Sequence, residues 1–279
     1  MNKAVENALI NNFINPLDKG CLVNLTKLTK EKVKHVETIS LLQQSYNTLK
    51  NSCHFLEKYE FIDSNSLLRS TIEYLAMAML IEENDNVYNE FIDLYPEERK
   101  YTAPMKLLGM FGGKLKKYSS ILFNDTNRKE RELLMLDLYD TLCSYTHGSL
   151  LINLFAHVQK KEDNEVLKML SYLNFYFVKL MLYACLKYIN KNNDEYLDTG
   201  YIVVSFLFYI NEINIYIKEN NLNFKKYNKY LHLEDNNMTY LDVHKDKLFD
   251  MLNEFNDFAM NDKEKEMFEQ ICKQFFEIN

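Results

Sequence analysis

The sequence is poor in residues that break helices and form tight turns: it has only six glycines and three prolines among 279 residues. An all-β fold needs many tight turns, so this shortage favours long helices joined by polar loops. Hydrophobic residues make up 47% of the chain, which excludes a mainly disordered protein and allows a sizeable core. The sequence therefore predicts an all-α, multi-helix bundle.

Cysteine pairs at metal-site or redox-motif spacing are also missing. The five cysteines are scattered, and no Cys-x-x-Cys spacing occurs among Cys21, Cys53, Cys143, Cys185 and Cys272. This usage is typical of reduced, mostly buried cysteines in a cytosolic protein rather than of a disulfide or zinc framework. We expect a cytoplasmic protein, and the sequence implies no metal and no other cofactor.

The chain lacks an excess of positive charge and an uninterrupted apolar run long enough to span a bilayer. Its net charge of −7 argues against a general nucleic-acid coat protein, but not against an enzyme that binds RNA through a local patch. Residues 169–189 contain two lysines, and residues 201–217 are interrupted by Asn211 and Glu212. Both segments are therefore expected to be buried core helices, and no membrane association is expected.

Apolar periodicity and capping residues predict the order of the helices. Asn15-Pro16 is predicted to close the first helix. Thr29 is the predicted N-cap of the long amphipathic helix that follows, and Asp63 or Ser64 that of the next one. The predicted helices lie at about 2–14, 30–60, 64–83, 86–94, 104–111, 126–147, 149–160, 164–190, 197–219, 243–257 and 262–277.

The polar segment 220–241 is the best candidate for a domain boundary. It separates a helical bundle, residues 1–219, from a C-terminal helical extension, residues 220–279. The extension contains two amphipathic helices, which we expect to form a hairpin that docks on the bundle or on a second subunit.

The first stretch with unexpected polar residues carries Arg69 and Glu73, four residues apart, just before an almost wholly apolar run. A guanidinium is preferred over an ammonium where a planar charged fork meets a carboxylate or phosphate. A surface ion pair that merely stabilises the helix is a poor explanation for these two residues, because an arginine placed before a glutamate is the weaker order for such a pair. A functional pair and a buried ion pair that joins helices both remain open.

The second stretch is residues 133–151, where polar residues repeat along one stripe of a helix. His147 lies at its predicted end, and a histidine that titrates near neutral pH suits acid–base catalysis. The alternative is a histidine that caps a kink and binds a carboxylate. Buried charges are costly unless paired, so the two stretches are expected to face each other or line a shared cleft. The stripe consists of Asp137, Asp140, Ser144 and His147.

Together these stretches resemble the HEPN-like class of all-helical bacterial proteins. An Arg-x-x-x-Glu helix is followed by Leu-Tyr-x-x-Leu-x-x-Tyr-x-His-Gly-Ser, and the resemblance covers residues 67–151. It implies a helical bundle that commonly dimerises. It also implies a link to toxin–antitoxin or antiphage systems, in which many members are metal-independent ribonucleases. The matching residues are Arg69, Glu73, Leu138, Tyr139, Leu142, Tyr145, His147, Gly148 and Ser149.

The chain departs from the HEPN catalytic signature, in which an arginine precedes the histidine on the same helix. Asp140, Thr141 and Leu142 occupy the corresponding positions here. The resemblance therefore implies that Arg69, from the other helix, supplies the positive charge at the cleaved phosphate.

The catalytic residues implied by this resemblance are five. His147 would exchange protons with the ribose 2′-hydroxyl and the leaving 5′-oxygen, and Arg69 would stabilise the charged phosphorane. Glu73 would orient Arg69 or share the acid–base work. Tyr145 could hold a phosphate oxygen, and Asp140 would favour the protonated imidazole.

The function predicted on this basis is a defence or toxin-type protein, a homodimer, whose partner is RNA or another protein of a defence system. An alternative from a different class is a non-catalytic interaction or ligand-sensing module, in which the same residues form a structural ion network. A small-molecule enzyme that uses the same cleft is a third hypothesis, for which no residue indicates a particular substrate.

Overall fold

The part of the protein that the computed structural model describes is 90% helical, and no strand occurs in that part, which confirms the all-α prediction. The chain divides into two units, Met1–Asn193 and Asp194–Asn279, and the helices described below belong to the first. The predicted boundary at residue 220 and the C-terminal hairpin stay predictions. The described residues are 14–90, 108–114, 138–140, 142–143, 161–191 and 219–220.

Four long helices and one short helix have defined bounds within the described residues, and a 3₁₀ turn lies between the first two. Residues 108–114 and the described residues between 138 and 143 are helical as well. The elements are α1 (Asn15–Thr26), the 3₁₀ turn (Lys30–Lys32), α2 (Val36–Glu57), α3 (Phe61–Glu83), α4 (Asp85–Tyr88) and α5 (Lys161–Asn190).

Helices α2 and α3 form an antiparallel pair. Ser52, near the end of α2, donates from its hydroxyl to the carbonyl of Ser64, near the start of α3, at 3.0 Å. At the other end, Glu82 of α3 accepts a hydrogen bond from the Lys34 amide just before α2. The buried face of α2 combines leucines with small polar residues, whose short side chains leave room for neighbouring helices. This face consists of Thr38, Leu42, Ser45, Thr48, Leu49, Ser52 and Leu56.

Helix α5 runs parallel to α3 and packs against α1, α2 and α3. Its Asn174 donates to Asn65 at 3.1 Å near the start of α3, and its Tyr188 donates to Glu83 at 3.0 Å near the end. The stretch Leu167–Asn190 is long and apolar enough to cross a bilayer, but 82% of its most apolar window is buried inside the structure. It is thus the central core helix, as the sequence predicted.

Two predicted helix boundaries need correction. Asn15 and Pro16 begin α1, in a stretch where the sequence predicted no helix, and the predicted helix at about 2–14 lies outside the described residues. Proline is tolerated in the first turn, because the N–H that it lacks has no helical partner there. Helix α3 begins at Phe61, so Asp63 lies inside its first turn, and no side chain caps its start. Ser64 is fully buried and bonds to α2.

The start of α2 is capped by a residue far away in the sequence. The predicted N-cap, Thr29, precedes only the 3₁₀ turn, and its side chain makes no capping hydrogen bond. Instead the Glu82 carboxylate accepts bonds from the backbone N–H of Lys34 at 2.6 Å and of His35 at 3.4 Å, and from the Thr38 hydroxyl at 2.8 Å. These contacts pair the backbone N–H groups of the two residues just before α2 and place a carboxylate at its N-terminus, where the helix dipole favours negative charge.

We expect Glu82→Ala to lower the free energy of unfolding by about 1–3 kcal/mol, because three donors lose a charged acceptor. The midpoint of urea unfolding measures this loss. Glu60→Ala is the matched control, since Glu60 is exposed and makes no side-chain capping bond at the start of α3. Equal destabilisation by the two substitutions would contradict the proposed role of Glu82.

Candidate functional site

Arg69 and Glu73 lie one turn apart on α3 and form an ion pair. The Nη2 and Nε atoms of Arg69 each lie 3.2 Å from Oε1 of Glu73. Their neighbours Leu68 and Ile72 are fully buried, so the pair lies at the edge of the core. The side chains keep 23% and 34% of their exposure, which means that the pair is partly shielded but still reached by solvent.

Tyr139 brings the second polar stretch into contact with this pair. Its hydroxyl donates to Oε1 of Glu73 and accepts from Nε of Arg69 at 3.2 Å. The Arg69 Cζ atom also lies 5.5 Å from the centroid of the Tyr139 ring, within the range of a cation–π contact. The tyrosine itself is buried. We call Arg69, Glu73 and Tyr139 the Arg69 cluster.

The electrostatics of the Arg69 cluster keep the arginine charged and the phenol neutral. Burial acts to lower the pKa of Arg69, but the hydrogen bond with Tyr139 and the charge of Glu73 outweigh it, so that the pKa is raised. Burial and the hydrogen bond to Glu73 both raise the pKa of Tyr139. The cluster therefore holds one cation balanced by one anion, and an incoming phosphate must compete with Glu73 for Arg69.

Cys143 lies one turn after Tyr139 and is half-buried beside the cluster. Burial raises the pKa of its thiol, while the charge of Arg69 and a hydrogen bond with Tyr139 oppose that shift without cancelling it. A nucleophilic cysteine needs a lowered pKa, because the thiolate is the reactive form. The raised pKa therefore favours the neutral thiol of Cys143 over the reactive thiolate.

The structure places only some of the predicted site residues. Arg69 and Glu73 lie together, and Asp140 is exposed in the helical segment that carries Tyr139. His147 and Tyr145 lie outside the described residues, so their part in the site stays a prediction.

Tyr139 was not among the predicted site residues. The predicted polar stripe contains Asp140, whereas the contact with α3 comes from the stripe of Tyr139 and Cys143. The spacing of four between these two, beside the buried Leu142, is the signal that could have indicated this face.

Comparison of the chain with protein-family models, with curated proteins and with solved structures finds no match. The resemblance to HEPN-like proteins therefore rests on its motif alone and stays a prediction. Within the described ranges, no three His, Cys, Asp or Glu side chains come together as metal ligands. A guanidinium, a phenol and one carboxylate also make a poor donor set for a divalent ion.

We expect Tyr139→Phe to cost about 1–2 kcal/mol of folding stability, because Arg69 and Glu73 each lose a hydrogen-bond partner at a partly buried site. Chemical denaturation measures the loss. Tyr74→Phe is the matched control, since Tyr74 is a half-buried tyrosine on α3, directly after Glu73. A Tyr139→Phe protein as stable as Tyr74→Phe would show that the bonds of the cluster contribute nothing.

The raised pKa of Tyr139 also predicts a pH dependence. A phenol whose pKa is higher in the folded than in the unfolded state stabilises the fold fully below about pH 10, and this contribution is lost as the pH rises through the folded pKa. The stability difference between wild type and Tyr139→Phe should therefore stay constant from pH 7 to about pH 9 and shrink as the pH rises above about 10. A difference that grows with pH would contradict this assignment.

Proposed function

We propose that the chain is a cytoplasmic HEPN-like helical protein with a bacterial defence or toxin-type role, and that it cleaves RNA without a metal. The observation that supports an RNA site is the state of Arg69. Its guanidinium is held by Glu73 and Tyr139 and yet keeps 23% of its exposure. A fixed, permanently charged and accessible fork suits a phosphate group, whereas a sealed pair would serve only packing.

In the proposed reaction, His147 removes the proton from a ribose 2′-hydroxyl, and the 2′-oxygen forms a bond to the adjacent phosphorus. Arg69 stabilises the added negative charge on the phosphorane oxygens. The bond from phosphorus to the 5′-oxygen then breaks, and the imidazolium returns its proton to that oxygen. The products are a 2′,3′-cyclic phosphate and a 5′-hydroxyl, and no metal or water takes part in the step.

The other residues of the proposed site hold the reacting groups. Glu73 and Tyr139 fix the orientation of Arg69, so that little reorganisation is needed when the charge develops. Tyr145 would bind a phosphate oxygen, and Asp140 would favour the protonated imidazole of His147. Two copies of the chain would form the working homodimer, with RNA or another protein of the defence system as the partner.

We expect purified protein to cleave total RNA or tRNA in the presence of EDTA. His147→Ala and Arg69→Ala should each lower the rate by about 10²-fold or more, the usual loss for an acid–base group or an oxyanion donor. Their matched controls are His54→Ala and Lys50→Ala, which remove an exposed histidine and an exposed lysine from α2 and should cleave like wild type. Intact RNA with folded wild-type protein would contradict the proposal.

A second candidate function is a non-catalytic interaction or ligand-sensing module. The observation that favours it is the charge balance of the Arg69 cluster, in which Glu73 already pairs with the guanidinium. This candidate predicts that Arg69→Ala changes the stability of the protein, while no variant, nor the wild type, cleaves RNA.

A further inference from the structure

The ends of α1 and α5 meet the 3₁₀ turn at one hydrogen-bonded point. Asn190, at the end of α5, donates to the carbonyl of Asn24 at 2.9 Å, and Lys32 of the 3₁₀ turn donates to Oδ1 of Asn190 at 3.1 Å. Both asparagines are buried. The contact joins residues 158 positions apart in the sequence, so it fixes two distant parts of the chain to each other.

Four exposed lysines take part in this contact or lie within three residues of it along the chain. Lys27 follows Asn24 by three residues, Lys30 and Lys32 lie in the 3₁₀ turn, and Lys191 directly follows Asn190. We call these four the basic junction. The sequence shows three of them as neighbours, but only the contact through Asn190 brings Lys191 to the same place.

The basic junction carries a local excess of positive charge in an acidic chain. Among residues 27–32 the acidic one is Glu31, and its exposed carboxylate has a lowered pKa, chiefly because it accepts a hydrogen bond from Thr29. Lys34 is left out of the group, because it pairs with Asp85. Lysines are favourable at helix C-termini, which explains Lys27 and Lys191 individually. It does not explain why four lysines are grouped here.

We propose that the basic junction binds the phosphate backbone of single-stranded RNA. The choice of RNA among polyanions rests on the proposed function, since the same strand would be cleaved at the Arg69 cluster. Lysines on flexible stems contact phosphates as point charges, without reading the sequence.

The basic junction can assist cleavage by direct contact with the RNA strand, and not by the electrostatic field of its lysines at Arg69. Arg69 lies 13 residues before Glu82, which holds the Lys34 amide beside the junction. That spacing is on the order of 20 Å along α3. The Debye length at physiological salt is about 8 Å, so the field of the lysines is screened at Arg69. The basic junction therefore anchors a second part of the same strand.

The test uses a labelled 2′-O-methyl oligonucleotide, which lacks the 2′-hydroxyl and so cannot be cleaved by the proposed reaction. Fluorescence anisotropy gives its Kd for the full chain at several salt concentrations. The junction variant is Lys27→Glu with Lys30→Glu and Lys191→Glu. The control variant carries the same change of charge on three other exposed lysines, namely Lys19→Glu, Lys50→Glu and Lys58→Glu.

We expect the junction variant to bind at least about tenfold more weakly than the control variant at 0.1 M salt. The slope of log Kd against log salt concentration should fall by about 2, since each single-strand phosphate contact contributes about 0.7. Thermal unfolding establishes that both variants are folded. Equal affinity of the two variants, or no binding by wild type, would overturn the inference.

The outcomes separate this inference from the proposed function. Binding that depends on the basic junction, with no cleavage of ordinary RNA, supports the inference and contradicts the nuclease. Cleavage by wild type, with equal binding by the junction and control variants, contradicts the inference alone. Binding of phosphatidylserine vesicles in place of the oligonucleotide would overturn RNA as the partner.

Discussion

The burial of α5 is the constraint on which the rest of the described fold depends. This helix is apolar over most of its surface, so it needs neighbours on several sides, and α1, α2 and α3 provide them. Its Lys179 is only 4% exposed and lies 2.8 Å from the Asp18 carboxylate of α1. Tyr46 of α2 donates to the same carboxylate at 3.2 Å. One buried charge thus ties three helices together, because leaving it unpaired would be costly.

The Arg69 cluster depends on the same packing. Helix α3 is fixed on one side by α2 and on the other by α5, where Asn65 donates to the buried Ser171 at 3.0 Å. Arg69 and Glu73 therefore project from a rigid helix instead of a loop, as an electrostatic site requires. Tyr139 completes the cluster from a distant segment, which makes the position of the guanidinium a property of the tertiary fold.

The sequence predicted the features that depend on local pattern. The apolar period and the internal lysines of residues 169–189 predicted a core helix, and α5 occupies that place. The four-residue spacing of Arg69 and Glu73 indicated a pair on one helix face, which is the geometry of α3. Helix ends were predicted less well, because Pro16 suits a helix start as much as a helix stop.

Features that depend on distant contacts could not be predicted from local pattern. The cap of α2 comes from Glu82, 47 residues after His35, and no residue near the start of α2 predicts it. The partner of Arg69 is Tyr139, 70 residues later, on a helix stripe that the polar pattern did not select. Lys191 comes to the other lysines of the basic junction through the bonds of Asn190 with Asn24 and Lys32. In each case the sequence offers many residues of suitable chemistry, and the tertiary packing determines which of them makes the contact.

The most direct measurement of the central claim is the chemical identity of the RNA ends that the protein produces in EDTA. Mass spectrometry of a short, defined RNA after incubation with wild-type protein should find 2′,3′-cyclic phosphates and 5′-hydroxyls, because the attacking group is the 2′-oxygen. These products should be absent with Arg69→Ala. Intact RNA, or 3′-hydroxyl and 5′-phosphate ends that require attack by water, would contradict the account.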